Sequence, residues 1–112
     1  MYYYEGEFKH GHMHGSGKLV WEGEKVLECM WEAGKRKGPE GKLTTSNGDV
    51  YDGEISTDYL KHGAGVLRFA TGDVYHGCFE NDLISGIGKK VYSDGDYYEG
   101  EWQAGKFYRW NV

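Results

Sequence analysis

The chain has 112 residues, a length that indicates one domain and argues against separate catalytic and binding domains. It carries 19 glycines, 1 proline, 10 tyrosines, 4 tryptophans and 4 phenylalanines. Aromatic rings therefore replace the aliphatic side chains of an ordinary core, which predicts an ordered, hydrophilic, β-rich protein. The formal net charge of −5 argues against nucleic acid as a partner.

The composition also indicates where the chain works. No apolar run reaches the roughly 20 residues that a membrane span needs, and the first residues lack the basic and apolar parts of a secretory leader. Two cysteines are too few for a disulfide scaffold, which agrees with a reducing compartment. We therefore expect an intracellular, cytoplasmic location.

A five-residue motif, typically tyrosine, a polar residue, glycine, a variable residue and an apolar residue, recurs along the chain. It occupies residues 4–8, 51–55, 75–79 and 98–102, with a degenerate copy at 27–31. Successive copies start 23 or 24 residues apart. Because a fixed period is the signature of a repeat architecture, the chain consists of about four and a half copies of one unit.

Each motif is followed by a second stretch of apolar alternation, which in three units begins with a Gly-x-Gly sequence. These glycine pairs are Gly15 and Gly17, Gly63 and Gly65, and Gly86 and Gly88. Alternation with a period of 2 predicts strands, and turn dipeptides such as Asn47-Gly48 and Asp94-Gly95 predict tight hairpin connections. The sequence therefore predicts an all-β protein, an elongated, twisted, single-layer antiparallel meander of about nine or ten strands with solenoid-like repetition.

This unit resembles the MORN repeat. The resemblance rests on Gly-Asp-Val-Tyr at 48–51 and 72–75, Tyr-Glu-Gly-Glu at 4–7 and 98–101, and His-Gly-x-Gly at 14–17 and 62–65. It covers residues 1–112 as a single domain, with repeats that start near 4, 27, 51, 75 and 98 and a partial last repeat.

Two units depart from the pattern. The copy at 27 has Leu27 for tyrosine and Cys29 for glycine, and an extra residue lies between Gly38 and Gly41, so we expect a bulge or distortion there. The copy at 51 has one extra residue before Gly63.

The alternation also separates two faces of the predicted sheet. Aromatic and glycine positions share the inner face, where rings packed over glycine backbone would form the core. On the outer face, acidic side chains of the first strands, such as Glu5, alternate with basic ones of the second strands, such as Lys18, and fix the register. Cys29 lies inward and Cys78 outward two units away, so an intramolecular disulfide is excluded.

The sequence offers little for catalysis or metal binding. It lacks nucleophile-elbow, phosphate-loop, paired-cysteine and zinc-protease patterns, so we expect no enzyme and no cofactor. His10, His12 and His14 alternate in one loop, but an extended strand would spread their rings apart, so we interpret them as ordinary loop residues rather than metal ligands.

An aromatic sheet face without a covering layer predicts a binding surface. We expect a non-catalytic scaffold that holds an extended or helical protein segment along an aromatic groove. It would dock in a larger assembly by its sheet edges, at residues 2–4 and 107–112. The groove residues that this hypothesis assigns to the partner are Tyr51, Tyr75, Phe79, Tyr98 and Trp102, whose alternative role is the repeat core. The resemblance implies a cytoskeletal, ciliary or flagellar setting.

Two alternatives remain open. The resemblance also implies an adaptor associated with membrane phosphoinositides, and Lys35, Arg36 and Lys37 form the compact basic run that would contact acidic lipid or an acidic partner. The chain could instead be an accessory part of an enzyme whose catalytic domain lies on another chain. The sequence names neither the partner, the organelle nor the oligomeric state.

Overall fold

Short alternating runs separated by glycine turns form eleven strands. The computed structural model describes residues 1–110, so Asn111 and Val112, part of the predicted C-terminal edge, lie outside the described residues. The strands are β1 (Tyr2–Lys9), β2 (His12–Trp21), β3 (Lys25–Glu32), β4 (Lys35–Arg36), β5 (Glu40–Thr45), β6 (Val50–Ile55), β7 (Lys61–Arg68), β8 (Val74–Glu80), β9 (Leu83–Val91), β10 (Tyr97–Gln103) and β11 (Lys106–Trp110). Residues 1–110 contain no helix, and hence none that could cross a membrane. The predicted all-β class is confirmed.

The strands form one antiparallel sheet. Its order is β1-β2-β3-β5-β6-β7-β8-β9-β10-β11, and β4 pairs with β3 beside this path. The described chain measures 53 × 23 × 21 Å, which is the shape of a long ribbon. The predicted single-layer meander is confirmed, and the short strand β4 is the one element beyond the expected number.

The unit that begins at Leu27 is distorted, as its sequence predicts. β3 pairs with β5 as far as Glu28, opposite Lys42, and the end of β3 pairs with β4 instead. Residues 37–39, between β4 and β5, belong to no strand. A register shift also lies within the motif of each of the other four hairpins, which the sequence did not indicate.

A row of glycines crosses the sheet. The opposed pairs are Gly6–Gly17, Gly41–Gly53, Gly53–Gly65, Gly65–Gly77, Gly77–Gly88 and Gly88–Gly100. Cys29, opposite Gly17, takes a glycine position in this row. The row leaves a strip of bare backbone on the inner face of the sheet.

A tyrosine ring lies on this bare backbone in three units. Tyr4, Tyr51 and Tyr75 each cover the glycine pair of their own hairpin. A Cβ atom added to the first glycine of each pair would lie only 2.6 to 2.8 Å from the tyrosine oxygen. Each hydroxyl donates a hydrogen bond of 2.7 to 3.0 Å to the carbonyl oxygen three residues later. The predicted packing of rings over glycine is confirmed.

These tyrosines also join each unit to the next. Tyr51 meets Phe79 edge to face, with ring centroids 5.0 Å apart at 85°, and Tyr75 meets Trp102 in the same way at 5.6 Å and 81°. The same contact joins the first two units. Since such pairs contribute about 0.5–1.5 kcal/mol beyond the buried area, the row of rings stabilises the order of the units.

Tyr59, in the β6–β7 loop, contacts residues of the two preceding units. Its ring lies 5.3 Å from that of Trp21, and the Arg36 guanidinium lies 5.4 Å from the Tyr59 ring. The ammonium group of Lys25 donates a hydrogen bond of 2.8 Å to the Tyr59 carbonyl. The longer loop of the third unit therefore packs against the first two units, whereas the atoms nearest to Gly41 belong to Leu27, Glu28 and Cys29.

Charges of opposite sign face each other on the outer face. The register aligns Glu5 with Lys18, Lys18 with Glu28, Glu28 with Lys42, and Lys42 with Asp52. The expected alternation of acidic and basic strands is confirmed over these five strands, where each pair contributes about 0.2–1 kcal/mol.

Replacing Gly65 with alanine tests the contact between ring and backbone. The added methyl group would collide with the buried Tyr51 ring, so we expect the free energy of unfolding to fall by about 1–3 kcal/mol. Gly41→Ala is the matched control, because the nearest atom there is the end of the flexible Leu27 side chain. Urea unfolding of both variants measures the difference, and an equal loss would contradict the role of the ring.

Candidate binding surfaces

Four of the five predicted groove residues lie in the core. Tyr51, Tyr75, Phe79 and Trp102 are at most 4% exposed, whereas Tyr98 is 41% exposed. The burial of these four side chains supports their alternative role, as part of the repeat core, because their rings pack against one another across units. A partner contact through the five residues stays a prediction, and Tyr98 is the one whose side chain a partner can reach.

The buried tryptophans form their polar contacts within the chain. Nε1 of Trp102 donates a hydrogen bond of 3.0 Å to the Gly88 carbonyl, and Nε1 of Trp31 donates one of 3.2 Å to the Gly17 carbonyl. The two residues occupy equivalent positions in their units. Since the indole donors are satisfied internally, the middle of the aromatic face is closed by the chain's own rings.

Many of the exposed aromatic side chains lie at the two ends of the ribbon. They are Tyr2, Tyr3 and Phe8 at the N-terminal end, and Tyr97, Tyr98, Tyr108 and Trp110 at the C-terminal end. The strands at these ends, β1 and β11, each pair on one side only within the described chain. Aromatic surface beside an unpaired strand edge is suited to docking another chain.

A cleft of about 800 Å³ opens at the C-terminal end, beside the β9–β10 turn. We call it the C-terminal cleft, and its lining includes Tyr92, Tyr97, Tyr98, Trp110, Asp73, Asp94 and Asp96. Aromatic rings and carboxylates thus share one open surface.

The last hairpin differs from the others in a way that explains this cleft. Trp110 stands opposite Gly100, whereas in the preceding hairpin Gly88 stands opposite Gly77. With an indole in the position of the second glycine, the Tyr98 ring packs against Trp110, with centroids 5.4 Å apart. The terminal tyrosine is therefore exposed.

The basic run is partly engaged in the fold. The Arg36 guanidinium donates hydrogen bonds to the carbonyl oxygens of Ile55, at 3.2 Å, and Ser56, at 2.8 Å. Lys37 lies 3.9 Å from Glu32, and Lys35 is exposed. Arg36 thus holds the β6–β7 loop in place, and the two lysines are the members of the run with solvent-facing side chains.

Two motif glutamates bind the backbone. Oε2 of Glu7 accepts a hydrogen bond of 2.8 Å from the Ser16 amide, and Oε2 of Glu54 accepts one of 2.9 Å from the Ala64 amide. The residue before each of these amides is a glycine with positive φ, namely Gly15 at 65° and Gly63 at 73°. These carboxylates therefore stabilise the irregular start of the second strand.

The three alternating histidines do not come together as a site, and only His10 lies in a loop, because His12 and His14 belong to β2. His10 and His12 are exposed and His14 is half-buried. Over residues 1–110, no three histidine, cysteine or acidic side chains are grouped closely enough to hold a metal ion. Cys29 and Cys78 are both free thiols.

Burial makes the two central tyrosines weaker acids. It raises the pKa of Tyr51 to about 12, with the charge of Glu54 adding to the shift, and it raises the pKa of Tyr75 to about 12 as well. The neutral hydroxyl is the form that the core stabilises.

Sequence reasoning did not identify Tyr59 or Trp110 as special. The extra residue in the loop before Gly63 indicated an irregular loop at Tyr59, but it did not indicate the contact of this ring with Trp21. Trp110 lies in a partial copy without a Gly-x-Gly sequence, so its equivalence to Gly88 becomes visible only through the strand register.

The comparison with protein families follows the structural units. The MORN repeat matches residues 4–23, 51–74, 75–97 and 98–107, more than half of the chain. The chain therefore belongs to the MORN-repeat family. The interval 24–50, which lies outside these matches, contains the distorted unit with Leu27 and Cys29. MORN repeats are a non-catalytic repeat family, so membership indicates a binding role rather than catalysis.

The chain is also similar to part of a much larger protein. Alsin of Homo sapiens and Alsin of Mus musculus are each 33% identical to it over 112 residues. The similarity covers 92% of this chain and 7% of either Alsin. The chain thus spans a small fraction of the length of the curated relatives it matches.

A spectrophotometric titration tests the burial of the central tyrosines. Because folding raises their pKa above the ordinary value of 10.0, the stability that they contribute is fully present below pH 10. This stability is lost as the pH rises from about 10 to about 12, because in that range the unfolded chain has released the two protons while the folded chain still holds them. Absorbance of tyrosinate should rise in two phases, and unfolding should accompany the later one. A single phase near pH 10 in the folded protein would contradict the burial.

Two tyrosine substitutions separate core from surface. The Tyr75 ring is fully buried, so we expect Tyr75→Ala to lose about 3–5 kcal/mol in unfolding free energy. Tyr98→Ala should cost much less, because its ring is 41% exposed. Denaturant unfolding compares the two, and equal losses would contradict the structural distinction.

Proposed function

We propose that the chain is a non-catalytic adaptor that binds a protein partner through the exposed part of its aromatic face, near the ends of the ribbon, and docks by its sheet edges in a larger assembly. The observation that carries the proposal is the distribution of aromatic surface. The rings in the middle of the 53 Å ribbon are buried against glycine backbone, whereas exposed rings lie beside the unpaired edges. Contact with a partner then concentrates at the ends, with Tyr98 as the exposed member of the predicted groove.

We further propose an intracellular setting in a cytoskeletal or ciliary structure. This part rests on the settings in which MORN repeats are common and on the small number of cysteines. An elongated sheet 53 Å long with exposed aromatic side chains near both ends can connect two bodies without catalytic chemistry, which supports an architectural role.

Capture experiments with matched variants test the adaptor function. The tagged chain is cross-linked in its native cell, and retained proteins are quantified for the wild type, Tyr98→Ala and Ile87→Ala. Ile87 is an exposed apolar residue of the same sheet, away from the C-terminal cleft, and serves as the control. We expect Tyr98→Ala to reduce retention of a partner about tenfold, as loss of an aromatic hot spot does, and Ile87→Ala to leave it unchanged. Equal retention by all three would contradict the proposal.

Vesicle binding distinguishes the membrane alternative. If Lys35 and Lys37 attached the chain to acidic lipid, sedimentation with anionic vesicles would occur at low salt and disappear at high salt. The adaptor proposal expects no sedimentation at either salt concentration. Salt-sensitive sedimentation that Lys35→Ala and Lys37→Ala abolish would favour the membrane role.

A further inference from the structure

We propose that the C-terminal cleft binds a lysine or arginine side chain of a partner's basic segment. The inference rests on the adaptor function and adds the chemistry of the partner. It combines two features of the cleft, aromatic rings at steep angles and carboxylates on the rim, which together favour a cation over a neutral or anionic group.

The rings approach one another from different directions. Tyr92 and Tyr98 are nearly perpendicular, at 85°, with centroids 5.9 Å apart, and Tyr97 and Trp110 are also at 85°, with centroids 6.2 Å apart. The Tyr98 and Trp110 rings lie 5.4 Å apart at 47°. The face of an aromatic ring carries a negative electrostatic potential, which attracts an ammonium or guanidinium group that enters the cluster.

Carboxylates supply the charge. Oδ1 of Asp73 accepts a hydrogen bond of 2.9 Å from the Ser93 amide, and Oδ1 of Asp94 accepts one of 2.9 Å from the Asp96 amide. These bonds fix the two carboxylates at the turn while the second oxygen of each stays available. No lysine, arginine or histidine lines the cleft.

Two rings that line the cleft, Tyr92 and Tyr97, and the neighbouring Phe69 ring already contact ammonium groups of this chain. Lys90 lies 4.6 Å from the Phe69 ring centroid and 5.1 Å from that of Tyr92, and Lys89 lies 4.6 Å from that of Tyr97. In the strand register, Tyr75 pairs with Leu67 on one side and with Lys90 on the other. Lys90 therefore occupies an inner-face position that holds an aliphatic residue in the preceding unit. Within residues 1–110, no such cation lies over Tyr98 or Trp110, which leaves these two rings for a partner's cation.

The cleft is specific to the last unit. In the units of Tyr51 and Tyr75, the second glycine allows the tyrosine to lie on the backbone, and an aromatic ring of the following unit covers it. Trp110 occupies that glycine position in the last hairpin, so the Tyr98 ring stays open to solvent beside the aspartates. Of Tyr51, Tyr75 and Tyr98, Tyr98 is therefore the one that is exposed within residues 1–110.

A peptide titration tests the inference. The probes are a glycine-rich heptapeptide with two lysines and its twin with both lysines acetylated, which differ in charge while sharing a backbone. The readout is the indole N–H resonance of Trp110, assigned with Trp110→Phe. We expect the lysine peptide to shift this resonance with a dissociation constant on the order of millimolar, and the acetylated twin to leave it unchanged.

Matched charge variants give the control. Asp94→Asn combined with Asp96→Asn should weaken lysine-peptide binding by about three- to tenfold, while asparagine at 94 keeps the oxygen that accepts the turn hydrogen bond. Glu22→Gln combined with Glu24→Gln removes the same charge from the exposed turn of the first unit and should leave binding unchanged.

Two results would overturn the inference: equal binding of the acetylated peptide, or equal weakening by the two double variants. Its failure is distinguishable from failure of the adaptor function. If Tyr98→Ala abolishes capture of a native partner but the lysine peptide does not bind, the adaptor stands and the cation site is wrong. If the peptide binds as expected but capture is unaffected, the cation site stands and the adaptor proposal is wrong.

Discussion

A tyrosine ring lying on an opposed pair of glycines is the interaction on which the rest of this structure depends. Glycine exposes backbone that an aromatic ring can cover, and the tyrosine hydroxyl then reaches the carbonyl three residues later. Because each ring also meets an aromatic ring of the next unit, local packing becomes a continuous row. This is how one layer of strands buries a core without helices or a second sheet, as in other repeat proteins where each unit is stabilised by its neighbours.

The same interaction explains how much of the fold follows from the sequence. Tyrosine and glycine at fixed spacing predict the strands, the inner face and the ring-over-glycine contact, because strand alternation is local. The two faces and the charge alternation follow for the same reason. The candidate binding surface depends on which side chains cover each ring, and those side chains come from other units of the chain. Tyr51 and Tyr75 are covered by the following unit, Tyr98 has no such cover within residues 1–110, and Tyr59 contacts Trp21 in the first unit.

Closure of the middle of the aromatic face moves the binding surface to the ends. A groove along the whole face would need rings that are free, but the central rings pack against glycine and each other. Exposed rings lie near the ends of the described chain, and those at the C-terminal end lie beside aspartates. Departures from the repeat therefore have two different effects. The long loop brings Tyr59 against Trp21 and Arg36, whereas Trp110 in a glycine position lies against the exposed Tyr98 ring.

Proton chemical shifts of the glycine Hα atoms test the central claim most directly, because a ring stacked on the backbone shields the protons beneath its face. The account predicts strong upfield shifts for Hα of Gly17, Gly65 and Gly88, and ordinary values for Gly11 and Gly95, which have no side chain above them. The shifts of Gly65 should vanish in Tyr51→Leu. Ordinary values at all five glycines, in a protein that is otherwise folded, would contradict the account.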